Sequence, residues 1–237
     1  GDVLIDGGVP ARTALIEANV RSLGFDVRDI RWILTSHAHC DHAGGVAELA
    51  RTTGAEVIAS AADEALLARG GRDDPQYGER FLFPPVRVAR TVRDGERLQL
   101  GDLTLSAHVT PGHTKGSTTW TWRSCEGERC LDVVLLSSLS APGYRLLGNP
   151  RYPDAVADFE ASFGTIAALP CDIALAPHPD VVDFWKRVQR RERGEADALI
   201  DPAACRAFAN EARASFVRAL EKQRGAPAAA TPNAGKR

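Results

Sequence analysis

Two spacings of apolar residues alternate along the 237-residue chain. Short apolar runs of strand character occupy 3–5, 32–34, 57–59, 103–109, 118–122, 133–136 and 173–176. Stretches with apolar positions every third or fourth residue occupy 11–23, 46–52, 63–68, 154–169, 181–191 and 203–222. The first spacing predicts strands and the second predicts helices. Their interleaving predicts an α/β protein in which helices cover sheets. Proline and glycine punctuate the joins, as at Pro84-Pro85 and Pro142-Gly143. The stretch 70–85 shows neither spacing; a long loop of this kind in a compact chain is functional or disordered. The last residues, 225–237, are rich in Ala, Pro, Gly and Lys, which predicts an unstructured tail after one domain over 1–224.

Composition narrows the classes without choosing one. Hydrophobic residues make up 44% and charged residues 25%, ordinary values for a globular chain able to bury a substantial core. A formal net charge of −2 offers no argument for nucleic acid or a membrane surface. The arginine-rich run 186–193 contains Glu192 and lies on a helical pattern, so it reads as a solvated helix face. No apolar run approaches the roughly 18 residues of a membrane span. The chain has no Met and opens on Gly-Asp-Val-Leu-Ile-Asp-Gly-Gly, the second half of a strand entering a turn. A preceding segment, and any signal peptide within it, is therefore expected to lie outside this sequence. Five cysteines leave at least one unpaired within the chain. Cys125 and Cys130 bracket a polar turn and can close a short disulfide; theirs is not the spacing of a zinc ribbon.

The candidate chemistry lies in histidine. Three of the six histidines fall within His37-Ala-His39-Cys-Asp41-His42, directly after a strand. Residues two apart in extended backbone point the same way, so His37 and His39 can reach one metal. Asp41 and His42 follow a turn and can face a second position. Gly44-Gly45 would then let the backbone turn tightly into the next helix. Imidazole and carboxylate suit Zn²⁺. His113, in Thr-Pro-Gly-His-Thr-Lys-Gly-Ser, and His178, in Ala-Pro-His-Pro, also sit just past strand ends and complete six candidate ligands. His108 lies inside a strand pattern and reads as structural. Paired zinc ions lower the pKa of water from about 15.7 to about 7, so no side-chain nucleophile is needed. A Cys-His hydrolase through Cys40 would leave most of the cluster without a role. A non-enzymatic zinc module is disfavoured because six ligands split over two sites leave open coordination positions.

Ser-His-Ala-His-Cys-Asp-His-Ala-Gly-Gly at 36–45 resembles the HxHxDH signature of the metallo-β-lactamase superfamily. Pro-Gly-His-Thr-Lys-Gly-Ser-Thr-Thr-Trp-Thr-Trp at 111–122 is similar to the third subclass of class B β-lactamases. So are Ser-Leu-Ser-Ala-Pro-Gly-Tyr at 138–144, Gly-Asn-Pro-Arg-Tyr-Pro at 148–153 and Cys-Asp-Ile-Ala-Leu-Ala-Pro-His-Pro at 171–179. The resemblance covers roughly 1–222 and implies a four-layer αββα sandwich with two zinc ions, its N-terminal strands lying before this sequence. It implies one zinc on His37, His39 and His113 and a second on Asp41, His42 and His178, with Asp41 also catalytic. It gives Ser138 and Ser140 to the substrate carboxylate, places Tyr144 near the lactam carbonyl and sets Tyr77 beside the cleft. It pairs Cys171 with Cys205; with Cys125–Cys130 this implies a periplasmic or secreted protein and leaves Cys40 free, its side chain turned away from the metals.

The chain departs from the pattern at Cys40, where relatives usually carry an aromatic, and at Ser137, where an Asp is frequent. The implied activity is hydrolysis of penicillins, cephalosporins and carbapenems by a monomer, with resistance to these antibiotics as the consequence. The alternative is another dizinc hydrolase of the same fold, such as a lactonase or thioesterase.

Overall fold

The computed structural model describes residues 1–225. Four strands form a parallel sheet in the order β1 (Asp2–Ile5), β2 (Ile30–Leu34), β3 (Glu56–Ser60), β4 (Arg90–Val92). Five more form the second sheet in chain order: β5 (Arg97–Leu100), β6 (Leu103–Val109), β7 (Thr118–Glu126), β8 (Arg129–Leu135) and β9 (Ile173–Leu175). These pair antiparallel except for the parallel β8–β9 pair.

Period-two alternation assigns each strand residue to a layer. Ile33, Val57 and Ala59 face the helices α3 (Val46–Thr53) and α4 (Ala61–Ala68). Leu34 and Ile58 point the other way and meet Leu105, Ala107 and Trp120 of the second sheet. Val134 packs beneath α5 (Ala155–Ala168) and α7 (Ala204–Gly225), where Phe159, Phe163 and Phe216 stack. Three apolar seams thus separate four layers, the αββα sandwich that the sequence implied.

The predicted elements occur with small shifts at their ends. Residues 11–23 form a short 3-10 turn followed by α1 (Thr13–Ser22), and 181–191 become α6 (Phe184–Glu192) with its charges exposed. The strands β4 and β5 and the single turn α2 (Cys40–Ala43) had no sequence forecast. β4 and β5 are short and polar, and partner strands define them. The loop 70–85 is ordered: Asp74 and Gly78 form an isolated bridge, and Phe83 is buried in the first seam. Gly225 closes α7, a correction to the predicted tail start; the rest of that tail lies outside the described residues. Both expected disulfides are formed, and Cys40 is the free thiol, packed against the first seam.

Candidate metal centre

Every proposed ligand lies on a loop or turn at one edge of the sandwich. His37 and His39 follow β2 in a bent segment, His39 itself extended, and α2 then swings Asp41 and His42 beside them. The glycines after α2 serve a different purpose from the one expected. Gly44 and Gly45 have ordinary helical-side dihedrals. A Cβ on them would lie 2.2 Å from the Cys40 carbonyl oxygen and 2.3 Å from that of Gly7, so close backbone packing excludes a side chain. His113 caps the loop between β6 and β7, and His178 follows β9.

The six side chains form two overlapping groups, because His37 also brings a ring nitrogen within 4.8 Å of ligand atoms of Asp41 and His42. His37, His39 and His113 are buried, each bringing a ring nitrogen within 4.8 Å of the others. His39 Nδ1 lies 3.0 Å from His113 Nε2. His37 Nε2 is buried with no partner. In the second group, His42 Nε2, His178 Nε2 and Asp41 Oδ2 form a triangle with sides of 3.2, 3.3 and 3.4 Å. A tetrahedral zinc with bonds of about 2.0 Å sets its ligands about 3.3 Å apart. That triangle, and an orphaned imidazole nitrogen aimed at two others, fit a divalent metal with nitrogen and oxygen ligands. The first group is buried, whereas Asp41 and His178 are about half exposed, so the centre opens to solvent on the second side.

The surroundings prepare the His37 and His113 rings as ligands. Burial, and then the neighbouring His39, drives the His113 pKa down to about 3; burial likewise holds His37 well below the usual histidine range. Both are therefore neutral, as metal ligation requires. His113 Nδ1 donates to the Ser140 carbonyl oxygen at 2.7 Å, which leaves Nε2 as the lone-pair nitrogen. Burial lowers the His42 pKa, but Asp41 and Asp6 outweigh it and raise it to about 9. His42 Nδ1 lies 3.0 Å from Asp6 Oδ2. Asp6, at φ +65°, also accepts from Ser36 N at 2.6 Å and Ser36 Oγ at 2.7 Å. His39 Nε2 lies 3.3 Å from Asp74 Oδ2.

Three of these carboxylates escaped the sequence reading. Asp6 had a usable signal, an acid at a strand end before Gly-Gly. Asp74 in the irregular loop and Asp63 in the first turn of α4 had none. His108 belongs to neither ligand group among the described residues; its Nε2 lies 3.0 Å from Thr121 Oγ1 on the adjacent strand.

A cleft of about 550 Å³ opens from His42 and His178 and runs toward α7. Ser138 and Ser140 line it with their hydroxyls 3.0 Å apart. Tyr144 is 3% exposed, and its hydroxyl donates to the His113 carbonyl oxygen at 3.0 Å. The Tyr77 ring packs between those of His39 and Tyr144, with centroid distances of 5.2 and 5.4 Å.

An αββα sandwich that gathers histidines and a carboxylate into two groups at one edge defines a metal-dependent hydrolase. The family model for the metallo-beta-lactamase superfamily matches residues 1–126, and the chain belongs to that superfamily. Among solved structures, it is similar to Rm3 metallo-beta-lactamase, with 44% identity, coverage of 94% of this chain and 85% of that one, and a TM-score of 0.90. It is similar also to BJP-1, a subclass B3 metallo-beta-lactamase of Bradyrhizobium japonicum (36% identity, 94% and 84% coverage, TM-score 0.88). BJP-1 and MEM-A1, the latter isolated from a soil metagenome library, are both described as subclass B3 metallo-beta-lactamases. A hydroxyacylglutathione hydrolase of Anaeromyxobacter dehalogenans is 36% identical over 150 residues, 63% of this chain and 47% of the relative. The chain spans about half the length of the curated relatives it matches.

Proposed function

We propose that this chain is a zinc-dependent β-lactamase that opens the amide ring of penicillins, cephalosporins and carbapenems, and so confers resistance to them. His37, His39 and His113 would hold one zinc, and Asp41, His42 and His178 the other. Bound there, zinc supplies Lewis acidity toward a carbonyl and hydroxide at neutral pH. The chain's own groups do the rest. Asp41 Oδ2 is turned to the two histidines, and its hydrogen bond with His42 holds the carboxyl well below the usual carboxylate range, charged as a ligand must be. Ser138 and Ser140 offer two hydroxyls to a substrate carboxylate. Tyr144 keeps His113 in place, and Tyr77 walls the His39 side.

One observation carries the lactam reading over the thioester one. The stretch 138–153 matches lactamases and lacks the bridging Asp usual in thioesterases, and its Ser138 and Ser140 line the cleft with His42 and His178, their hydroxyls 3.0 Å apart. Thioester hydrolysis remains the competing reading because a hydroxyacylglutathione hydrolase is among the relatives. All six ligands come from one chain, so a monomer suffices. Two disulfides favour an oxidising compartment, the periplasm or the outside of the cell. Among the described residues, no helix is long and apolar enough to cross a membrane.

A hydrolysis assay decides between the readings. The protein should turn over a carbapenem and a cephalosporin, lose that activity to a strong chelator, regain it with Zn²⁺ and ignore clavulanate. Turnover of an acylglutathione with none of either lactam would establish the thioesterase reading instead. Clavulanate inhibition combined with chelator resistance would remove zinc from the mechanism.

A further inference from the structure

Two carboxylates hold the ligand loops in different ways. Asp6 grips His42 and the Ser36 backbone, as described above. Asp63 touches no ligand side chain, yet it is 1% exposed and fully engaged. Its Oδ2 accepts from Ala38 N at 2.9 Å and Thr114 Oγ1 at 2.7 Å, and its Oδ1 accepts from Gly116 N at 2.9 Å. Ala38 stands between His37 and His39, and Thr114 follows His113. One carboxylate therefore ties the loop carrying two members of the three-histidine group to the loop carrying the third. It grips each at a residue adjacent in chain to a ligand.

The contact is tight. A Cβ on Gly116 would lie 2.5 Å from Asp63 N and 2.1 Å from Ser60 Oγ. Ser60 Oγ caps α4 at Asp63 N and donates to the Gly116 carbonyl oxygen at 2.6 Å, which seats the helix against the His113 loop. The three donors to Asp63 are two amides and a hydroxyl, all neutral. A buried carboxylate held only by dipoles is costly unless a cation lies near it. Burial accordingly pushes the Asp63 carboxyl up, against the pull of its three donors.

We infer that Asp63 is a positioning residue for the three-histidine metal site: it fixes the gap between the His37–His39 loop and His113. The inference rests on the reading of these residues as metal ligands and adds an asymmetry to it. Asp6 reaches His42 directly and His37 through the Ser36 hydroxyl, whereas Asp63 grips only the loops of the three-histidine group, and loss of Asp63 empties that site selectively.

Cobalt(II) titration of the metal-free full-length chain, followed by visible absorption, tests this without substrate. The wild-type chain should show two binding events, and His113→Ala identifies the one belonging to the three-histidine site. Asp63→Asn keeps the shape but turns an amide NH₂ toward a donor; it should weaken that same event about 10- to 100-fold and leave the other unchanged. Thr114→Val removes one donor from an intact carboxylate and should shift the same event in the same direction by less, which keeps the test open if Asp63→Asn fails to fold. Ser60→Ala loosens α4 but spares all three donors to the carboxylate; it should lower the melting temperature and preserve both events. Equal weakening of both events, or of neither, by the Asp63 and Thr114 variants would overturn the inference. A wild-type chain that takes up no cobalt would overturn the metal reading along with it.

Discussion

Single residues decide whether a histidine is a ligand. His113 and His108 sit five positions apart on the same stretch of chain. The ring of His113 is fixed by the Ser140 carbonyl and faces His39, whereas that of His108 is spent on Thr121. Replacement of His108 by Ala should therefore leave the zinc content unchanged by metal analysis. Asp41→Ala removes one ligand from one site, so activity should fall far more than total zinc. Loss of zinc from the His108 variant would upset the ligand assignment. Asp6 orients His42 from behind, and groups in that role are typically worth 10- to 100-fold in metal affinity. Asp6→Ala should weaken zinc at the second site by roughly that factor in competitive chelator titrations.

At the scale of elements, the alternation within β2 and β3 is what brings loops to the metal edge, since it fixes which face each strand shows to α3 and α4. That was readable from the chain because both faces of a central strand are buried and carry large apolar residues, Ile33 and Leu34, Val57 and Ile58. β4 and β5 were not readable: Arg90-Thr-Val and Arg97-Leu-Gln-Leu carry little apolar pattern of their own, and pairing with β3 and β6 makes them strands. The packing of the His113 loop on α5 yields a test. Gly112 has φ +130°, and a Cβ there would stand 2.7 Å from the Phe159 ring. Gly112→Ala should cost about 1–3 kcal/mol in chemical denaturation, through overpacking and backbone strain. A stability within error of wild type would show that α5 can shift away.

For the whole molecule, the Cys171–Cys205 bridge joins the start of β9 to α7 across a sequence separation of 34, and so holds the outer helix to the second sheet. Loop-closure entropy puts its contribution at about 3.5–4 kcal/mol. The Cys125–Cys130 bridge spans a separation of only 5 within the β7–β8 hairpin and should contribute about 2 kcal/mol on the same basis. Replacing each pair by Ser and comparing denaturation midpoints should give that order. Peptide mapping of protein isolated from the periplasm should find both bridges intact; free thiols at Cys171 and Cys205 would remove the argument for an oxidising compartment. The same sandwich serves relatives that cleave lactams and others named for thioesters, so the fold sets the class of hydrolase and the cleft residues set the bond.

The sequence by itself determined the metal loop. His37, His39, Asp41 and His42 fall within six residues after a strand, and their spacing dictates which side chains can share a metal without any long-range contact. It also determined the layered class, because strand and helix periods are local properties of the chain. The tertiary structure alone decided how the remaining ligands and their supports converge. His113 is 74 residues from His39, and His178 is 136 residues from His42; they meet because the loops that carry them gather at one edge of the sandwich. Asp6 and Asp63 read locally as an acid at a strand end and an acid in a first helical turn, and they gain their roles from backbone amides and a ring brought to them by other segments. Tyr144 stacks on the His113 ring and donates to that residue's carbonyl oxygen, a contact between segments 31 residues apart. A side chain's direction is set by its packing partners, and those partners are fixed only when the layers close.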